Sequence, residues 1–389
     1  MSFFMKKVIL SAHGSKRIKD GHLWVFKSDV KDLLQAKAGD LVQILDAGQN
    51  VFGCGFVSQS ELALRLITKE KEILNERVFF THHLKQIIER KRRLFKTRDS
   101  LRLIHGEGDG MPGLLVDCYH DALVIQTLTQ GTDQRKSMFV EILKELINPR
   151  AIVIRDDGMT RDYESLKDEK YLAYGDHAQV AYKEGEITFQ IDLLGDQKTG
   201  GFLDQYENHL IAKTYAFGHA LDTFCYHGGF GLQMAQVCEQ VLCVDQSQAA
   251  IEKTQANASF NHIKNLKTEC VNAFDFFKKA YHSQLKFDTI VVDPPAFAKR
   301  KSALQAALKG YKELNLRAMQ MLRPGGILIS CSCSAKVTQT LFEDMLHKAA
   351  QDAKRHLIIL ERRGASRDHS VLLGMRETEY LKCFVMQIL

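Results

Sequence analysis

The pattern of apolar and polar positions changes character twice along the chain. From Lys7 to about Lys69 apolar residues recur in short alternating runs, as in Asp40-Leu-Val-Gln-Ile-Leu and Leu62-Ala-Leu-Arg-Leu-Ile, separated by turns at Ala38-Gly39-Asp40 and Ala47-Gly48-Gln49-Asn50. A period of two puts alternate side chains on one face, so residues 1–74 are expected to form a small β-barrel. From Asn75 to about Arg102 the spacing of Val78, Phe79, Leu84, Ile87, Ile88 and Leu94 is helical and predicts a linking helix. Strand-like runs at Gly113–Asp117 and Ala122–Leu128, a helix near Asp133–Leu146 and a strand at Ala151–Arg155 then predict a mixed α and β middle domain over 75–190.

From about Leu203 the pattern becomes regular. Short apolar runs at His219–Phe224, Val241–Asp245, Lys267–Val271, Phe287–Asp293 and Gly326–Ser330 alternate with helical segments. That alternation predicts a parallel sheet covered on both faces, a doubly wound, Rossmann-like α/β domain over 191–389. A length of 389 residues agrees with two or three domains.

Composition narrows the class. With 45% hydrophobic and 26% charged residues the chain is neither disordered nor fibrous. No apolar run reaches the ~20 residues that span a bilayer, and the start has no signal-peptide pattern, so a cytoplasmic protein without a membrane partner is expected. Nine scattered cysteines suit reduced thiols rather than disulfides or a metal centre. The net charge of +6 is modest, but Arg90, Lys91, Arg92, Arg93, Lys96, Arg98 and Arg102 are concentrated. Such a run reads either as a phosphate-facing surface or as a solvated helix face.

Four elements carry candidate chemistry. Leu221-Asp-Thr-Phe-Cys-Tyr-His-Gly-Gly-Phe-Gly231 is a strand running into a glycine-rich turn, where backbone can approach a ligand at the sheet's switch point. Asp245 ends the next strand, at a spacing that suits an acid on ribose hydroxyls, although acids also cap helix starts there. Asp222 inside the glycine motif would repel a pyrophosphate and suits a cationic sulfonium with an amino group. Asp293-Pro294-Pro295-Ala296-Phe297 delivers an acid and two prolines to the same edge, where the transferred methyl should lie. In amino-group methyltransferases an aromatic follows the prolines directly, so the intervening Ala296 weakens that reading.

The fourth element, Gly325-Gly326-Ile-Leu-Ile-Ser-Cys331-Ser-Cys333-Ser334, brings two thiols to that edge. Carbon 5 of a pyrimidine is a poor nucleophile, and a thiolate adding to carbon 6 makes it an enamine able to attack a methyl sulfonium. A free thiol titrates near pH ~8.5, so Asp293 alone cannot activate it and Lys299, Arg300 or an RNA-bound water would have to help. Either cysteine also reads as a small apolar side chain closing a buried strand.

In this order the elements resemble the bacterial family of large-subunit (23S) ribosomal RNA methyltransferases that make 5-methylcytosine and begin with a PUA domain. The resemblance covers nearly the whole chain. Gly21-His-Leu-Trp24-Val-Phe, Ala38-Gly-Asp-Leu-Val and Gly53-Cys-Gly-Phe-Val-Ser-Gln-Ser resemble the RNA-binding PUA module. Gly106-Glu-Gly-Asp-Gly-Met-Pro-Gly-Leu-Leu-Val-Asp and Lys198-Thr-Gly-Gly-Phe-Leu-Asp204-Gln205-Tyr-Glu-Asn208 are more specific. The resemblance implies S-adenosylmethionine as cofactor, held by Gln205, Asn208, Asp222, Phe224, Tyr226, Gly228 and Gly229. Further cofactor contacts are implied for Asp245, Ser247, Asn272, Ala273 and Asp293, with Asp293 also holding the base. It places the catalytic thiol at Cys333 in preference to Cys331.

Ribosomal RNA is the implied partner, with Lys16, Arg17, Arg90, Arg92, Arg93 and Lys299 as RNA-binding candidates, and the family suggests a homodimer. Tyr206 stands where the family often has arginine and His227 where it often has threonine. Pro295 and Ala296 occupy the place of a second cysteine in related RNA cytosine methyltransferases, so release of the methylated base is expected to use another group. Transfer to uracil carbon 5 or to a base amino group, and a non-catalytic RNA-binding assembly factor, are the alternative readings.

Overall fold

The computed structural model describes residues 5–158, 160–298 and 301–389, and the chain divides into two units. The first comprises residues 1–182, 191–201 and 368–378; the second comprises 183–190, 202–367 and 379–389.

In the first unit six strands form one sheet in the order Trp24–Val25, Leu64–Thr68, Val51–Val57, Leu41–Leu45, Lys7–Leu10, Val30–Asp32. Their alternating side chains bury Val8, Leu10, Val42, Ile44, Leu64 and Leu66 around Ile18 of the helix Ala12–Lys19. The linking helix, Glu76–Leu94, is N-capped by Asn75, whose side chain accepts from the Val78 amide at 3.1 Å. Its face of Phe80, Leu84, Ile87 and Ile88 shares a core with Phe56 and Ile67 of the barrel and with Leu103, Ile125 and Ile154 of a second, five-stranded sheet.

The helix stops at Leu94 rather than near Arg102. Ser100–His105 instead forms the edge strand of that second sheet, antiparallel to Leu114–Tyr119. Burying Leu101, Leu103 and Ile104 against the sheet outweighs about two more helical turns with most of their length in water.

The second unit is built on seven strands in the order Leu266–Cys270, Gln240–Asp245, His219–Thr223, Phe287–Val292, Leu322–Ser332, Lys382–Ile388, Leu357–Arg363. The first five are parallel, as the alternating pattern predicts. Lys382–Ile388 runs antiparallel to both neighbours, a reversed strand the sequence reading did not anticipate. Leu221, Val244, Ile290, Val292 and Leu328 pack on one face, with residues of the helices Ala273–His282, Leu304–Met321 and Gln339–Ala353. Ala220, Cys243, Val291, Ile329 and Cys331 pack on the other, with Ala212, Phe230 and Ile251. Both faces of the sheet are therefore covered, and Asp222 and Asp245 sit on strands packed between them.

Candidate active site

Five strand ends meet the same edge of the second unit's sheet. The His219–Thr223 strand delivers Asp222, which is 1% exposed. Its Oδ2 accepts the Gly231 amide at 2.8 Å, whereas Oδ1 is buried without a hydrogen-bond partner. Burial raises the Asp222 carboxyl to about 8; the Gly231 hydrogen bond and His209 pull it down, and Asp293 and Asp245 push it up. Gly231 has no room for a side chain, since a Cβ there would lie 2.2 Å from Cys243 Sγ.

The loop beyond Asp222 is backbone under constraint. Phe224 and Tyr226 hold φ values of 63° and 48°, which non-glycine residues seldom adopt and which cost about 1–3 kcal/mol each. The surroundings fix them: Thr254 Oγ1 donates to the Tyr226 carbonyl at 2.7 Å, and the Tyr226 ring stacks on His227 at 3.6 Å. His227, where the family often has threonine, is kept neutral, with burial first and Lys253 second lowering it to about 3. Gly228, in the left-handed region at φ 85°, starts the helix Gly229–Ala235.

Asp245 ends its strand with one oxygen accepting Tyr226 N at 3.0 Å and the other Ser247 N at 2.9 Å. Ser247 in turn caps the helix Gln248–Phe260. Asp245 therefore braces the strained loop and caps a helix approach at once, and a carboxylate still has acceptor capacity for hydroxyls. Asn272 caps the helix Ala273–His282 through Oδ1 and donates to Gln246 Oε1 at 3.1 Å, and Ala273 is buried beside it.

A hydrogen-bond chain joins the remaining candidates. Arg363 Nε donates to Asn208 Oδ1 at 2.8 Å, Asn208 Nδ2 to Gln205 Oε1 at 2.6 Å, and Gln205 Nε2 to Asp293 Oδ2 at 3.0 Å. Tyr206, in place of the family's arginine, offers its hydroxyl to the Gly185 amide at 3.3 Å.

The two thiols differ. Cys331 is fully buried opposite Cys383, and burial followed by that neighbour drives its thiol far above the usual range. Cys333, past the strand end, is partly exposed, with Sγ 4.0 Å from the Pro294 carbonyl. Sequence reasoning missed two ionisable groups. His209 is buried: burial lowers it, but Glu184 at 2.7 Å outweighs that and raises it above the usual histidine range. Lys382 is buried on the reversed strand. Lysine heading an otherwise apolar strand, Lys382-Cys-Phe-Val-Met, was the signal available for the second.

The buried, unpartnered Asp222 oxygen at the glycine-rich turn fits the cationic amino group of S-adenosylmethionine, and Asp245 fits its ribose. Residues 8–69 match a PUA-like domain and residues 218–371 a methyltransferase domain. The chain is 34% identical over 386 residues to ribosomal RNA large subunit methyltransferase I of Photobacterium profundum, covering 96% of this chain and 97% of that protein. It belongs to that family. The family member of Enterobacter sp. is 33% identical, covering 98% of this chain and 99% of its own length. Among solved structures, a protein described as a SAM-dependent methyltransferase from Streptococcus mutans superposes with a TM-score of 0.84 at 22% identity, covering 98% of this chain and all of its own. A further solved methyltransferase with the same scores is complexed with SAH. The second unit thus has the fold of the S-adenosylmethionine-dependent methyltransferases.

The basic candidates divide. Arg90 Nη2 lies 2.5 Å from Asp109 Oδ1, and the buried Lys91 lies 3.0 Å from Asp109 Oδ2. Arg98 pairs with Asp368 at 3.1 Å and Arg102 with Asp117 at 2.5 Å. Arg17 lies 3.4 Å from Asp29 and stacks over Phe26. Lys16, Arg92 and Arg93 are exposed, and Lys299 lies outside the described residues. The family's glycine-rich motif at Gly106 is structural here: Asp109 anchors the helix, and Glu107 accepts the Trp24 indole at 2.9 Å. Among the described residues no helix is long and apolar enough to cross a membrane.

Proposed function

We propose that this chain transfers a methyl group from S-adenosylmethionine to carbon 5 of a cytosine in large-subunit ribosomal RNA, with Cys333 as nucleophile. The observation that carries the reading is the delivery of Asp293 and a partly exposed Cys333 by adjacent parallel strands to the edge where Asp222 and Asp245 lie.

When bound, the cofactor supplies an electrophilic methyl on a sulfonium. Asp222 holds its amino group, Asp245 its ribose, and Gln205 and Asn208 line the same edge. The Cys333 thiolate adds to carbon 6 of a flipped-out base, forming the S–C6 bond and moving the C5–C6 π pair to carbon 5, where it is conjugated through carbon 4 with ring N3 and the carbon 2 carbonyl. Carbon 5 takes the methyl group. Loss of the carbon 5 proton to a base then restores the double bond as the S–C6 pair returns to sulfur.

Asp293 supports cytosine over uracil. A carboxylate has about four acceptor sites, so Asp293 can accept both the Gln205 amide and the exocyclic amine of cytosine, whereas uracil would present a carbonyl to it. Residues 1–74 and 75–190 would hold the RNA, with Lys16, Arg17, Arg92, Arg93 and Lys299 on phosphates and a neutralised Arg90 contributing less.

The test is transfer of labelled methyl to ribosomal RNA from cells lacking the protein, with the product digested to nucleosides and identified by mass. 5-Methylcytidine made by the native protein and absent with Cys333→Ala is the expected result. Methylated uridine or a methylated amino group would overturn the chemistry and leave the fold reading intact.

A further inference from the structure

Proposing Cys333 as nucleophile leaves open what ionises it. A carboxylate such as Asp293 opposes a thiolate rather than favouring it, and Lys299 and Arg300 lie outside the described residues. The reversed strand supplies a cation. Lys382 pairs with Ser332 across the ladder, placing it beside the point where Cys333 leaves the neighbouring strand. It is 5% exposed, and its Nζ donates to the carbonyls of Ser334 at 2.7 Å and Tyr380 at 2.8 Å. An ammonium has three N–H groups, so these two bonds leave one. Among the described residues Lys382 has no ion pair, an unusual state for a buried lysine.

We infer that Lys382 holds Cys333 as a thiolate, the buried ammonium and the partly exposed thiolate forming a pair that positions the sulfur for attack. This rests on Cys333 being the nucleophile. The balance is simple: the S–H bond breaks, the electron pair stays on sulfur opposite the Lys382 ammonium, and the proton leaves to solvent. The thiolate supplies the buried ammonium with an opposite charge, and the ammonium favours the ionised form of the sulfur.

The electrostatics agree. Burial lowers Lys382 to about 8, and the first group to raise it again is Cys333, followed by Glu379. Facing Cys333 from the helix Leu304–Met321 is Tyr311, whose hydroxyl lies 3.0 Å from Ser334 Oγ and is itself raised, by burial first. Tyr311 is therefore a neutral neighbour at physiological pH, leaving Lys382 as the cation among the described residues.

A lysine that only pinned two carbonyls would give the same fold, so the test must read the thiol. The full-length protein with Cys270→Ser, which silences the exposed thiol, is treated with iodoacetamide across pH 5.5–10, and alkylation of Cys333 is followed by peptide mass spectrometry. The native profile is expected to have its midpoint below the ~8.5 of a free cysteine. Lys382→Gln keeps N–H donors for both carbonyls but removes the charge, and should raise the midpoint by at least about one unit, slowing alkylation at pH 7 about tenfold. Lys382→Arg should restore the native midpoint.

A Lys382→Gln profile that superposes on the native one overturns the inference. Should that variant fail to fold, a native midpoint at or above ~8.5 overturns it equally. Methyl transfer retained by Cys333→Ala would instead overturn the nucleophile assignment, a separate result read in a separate assay.

Discussion

The run from Arg90 to Arg102 and the carboxyl edge of the seven-stranded sheet are both dense in ionisable groups, yet they dispose of charge in opposite ways. In the first, Arg90, Lys91, Arg98 and Arg102 each meet a carboxylate, and Asp368 also accepts the Arg102 amide at 2.7 Å. Burial alone would raise the Asp368 carboxyl; His369, Arg98 and that amide together hold it far below the usual range. At the sheet edge, among the described residues, Asp222 keeps one buried oxygen unpartnered and the buried Lys382 has no carboxylate beside it. Satisfied charge builds the fold, whereas unsatisfied charge marks where a ligand or reacting group is expected.

The sharpest way to break this contrast lies in the two thiols. Cys333→Ala is expected to lower methyl transfer at least about a thousandfold, ~4 kcal/mol of transition-state stabilisation, while Cys331→Ala costs stability and changes turnover by less than about threefold. Equal losses from both would erase the distinction between an exposed and a buried thiol.

Next in size is Asp368→Ala, which strands Arg98 and the Arg102 amide and should cost about 3–5 kcal/mol in denaturant unfolding. Since the Asp368 carboxyl is depressed, its contribution is present at neutral pH and lost in the acid range, below the ordinary aspartate value. Native protein should therefore lose more stability on acidification than Asp368→Asn does.

Asp222 should behave oppositely. Its carboxyl is raised to about 8, so the free protein gains stability from the protonated form and loses it as pH climbs from about 4 towards 8. A cationic amino group favours the carboxylate, so calorimetry should show cofactor affinity rising with pH up to about 8, with proton release. Asp222→Asn should weaken binding about tenfold or more and flatten that dependence.

The smallest effect separates the exposed from the neutralised arginines. Arg92→Ala and Arg93→Ala should each reduce the salt slope of RNA binding by roughly 0.7–0.9 and alter stability by less than ~0.5 kcal/mol. Arg98→Ala should do the reverse, lowering stability with little change in salt slope.

What the sequence disclosed follows from which forces are local. The alternation at Leu41–Leu45 and the apolar runs ending in Asp222, Asp245 and Asp293 are set by burial of neighbouring residues, so barrel and parallel strands were visible, and so were the strand-end acids. Ser100–His105 was hidden because its pairing with Leu114–Tyr119 is non-local and follows a strongly basic helix. The pairing of Arg98 with Asp368 joins residues far apart in the chain, and no period encodes it. Phe224 and Tyr226 owe their backbone to Thr254 and Asp245 rather than to their own preferences. Lys382 stood out in the sequence only as a lysine heading an apolar strand, and the reversal of that strand is what brings it beside Ser332.

That reversal also orders events during synthesis. Leu357–Arg363 leaves the ribosome before Lys382–Ile388, yet it reaches the sheet only through that later strand. Until the later segment emerges, Leu322–Ser332 presents an open hydrogen-bonding edge and Leu357–Arg363 has nothing to pair with, an interval in which a nascent chain is exposed to wrong partners. Completion of the sheet and arrival of Lys382 beside Ser332 are then one event.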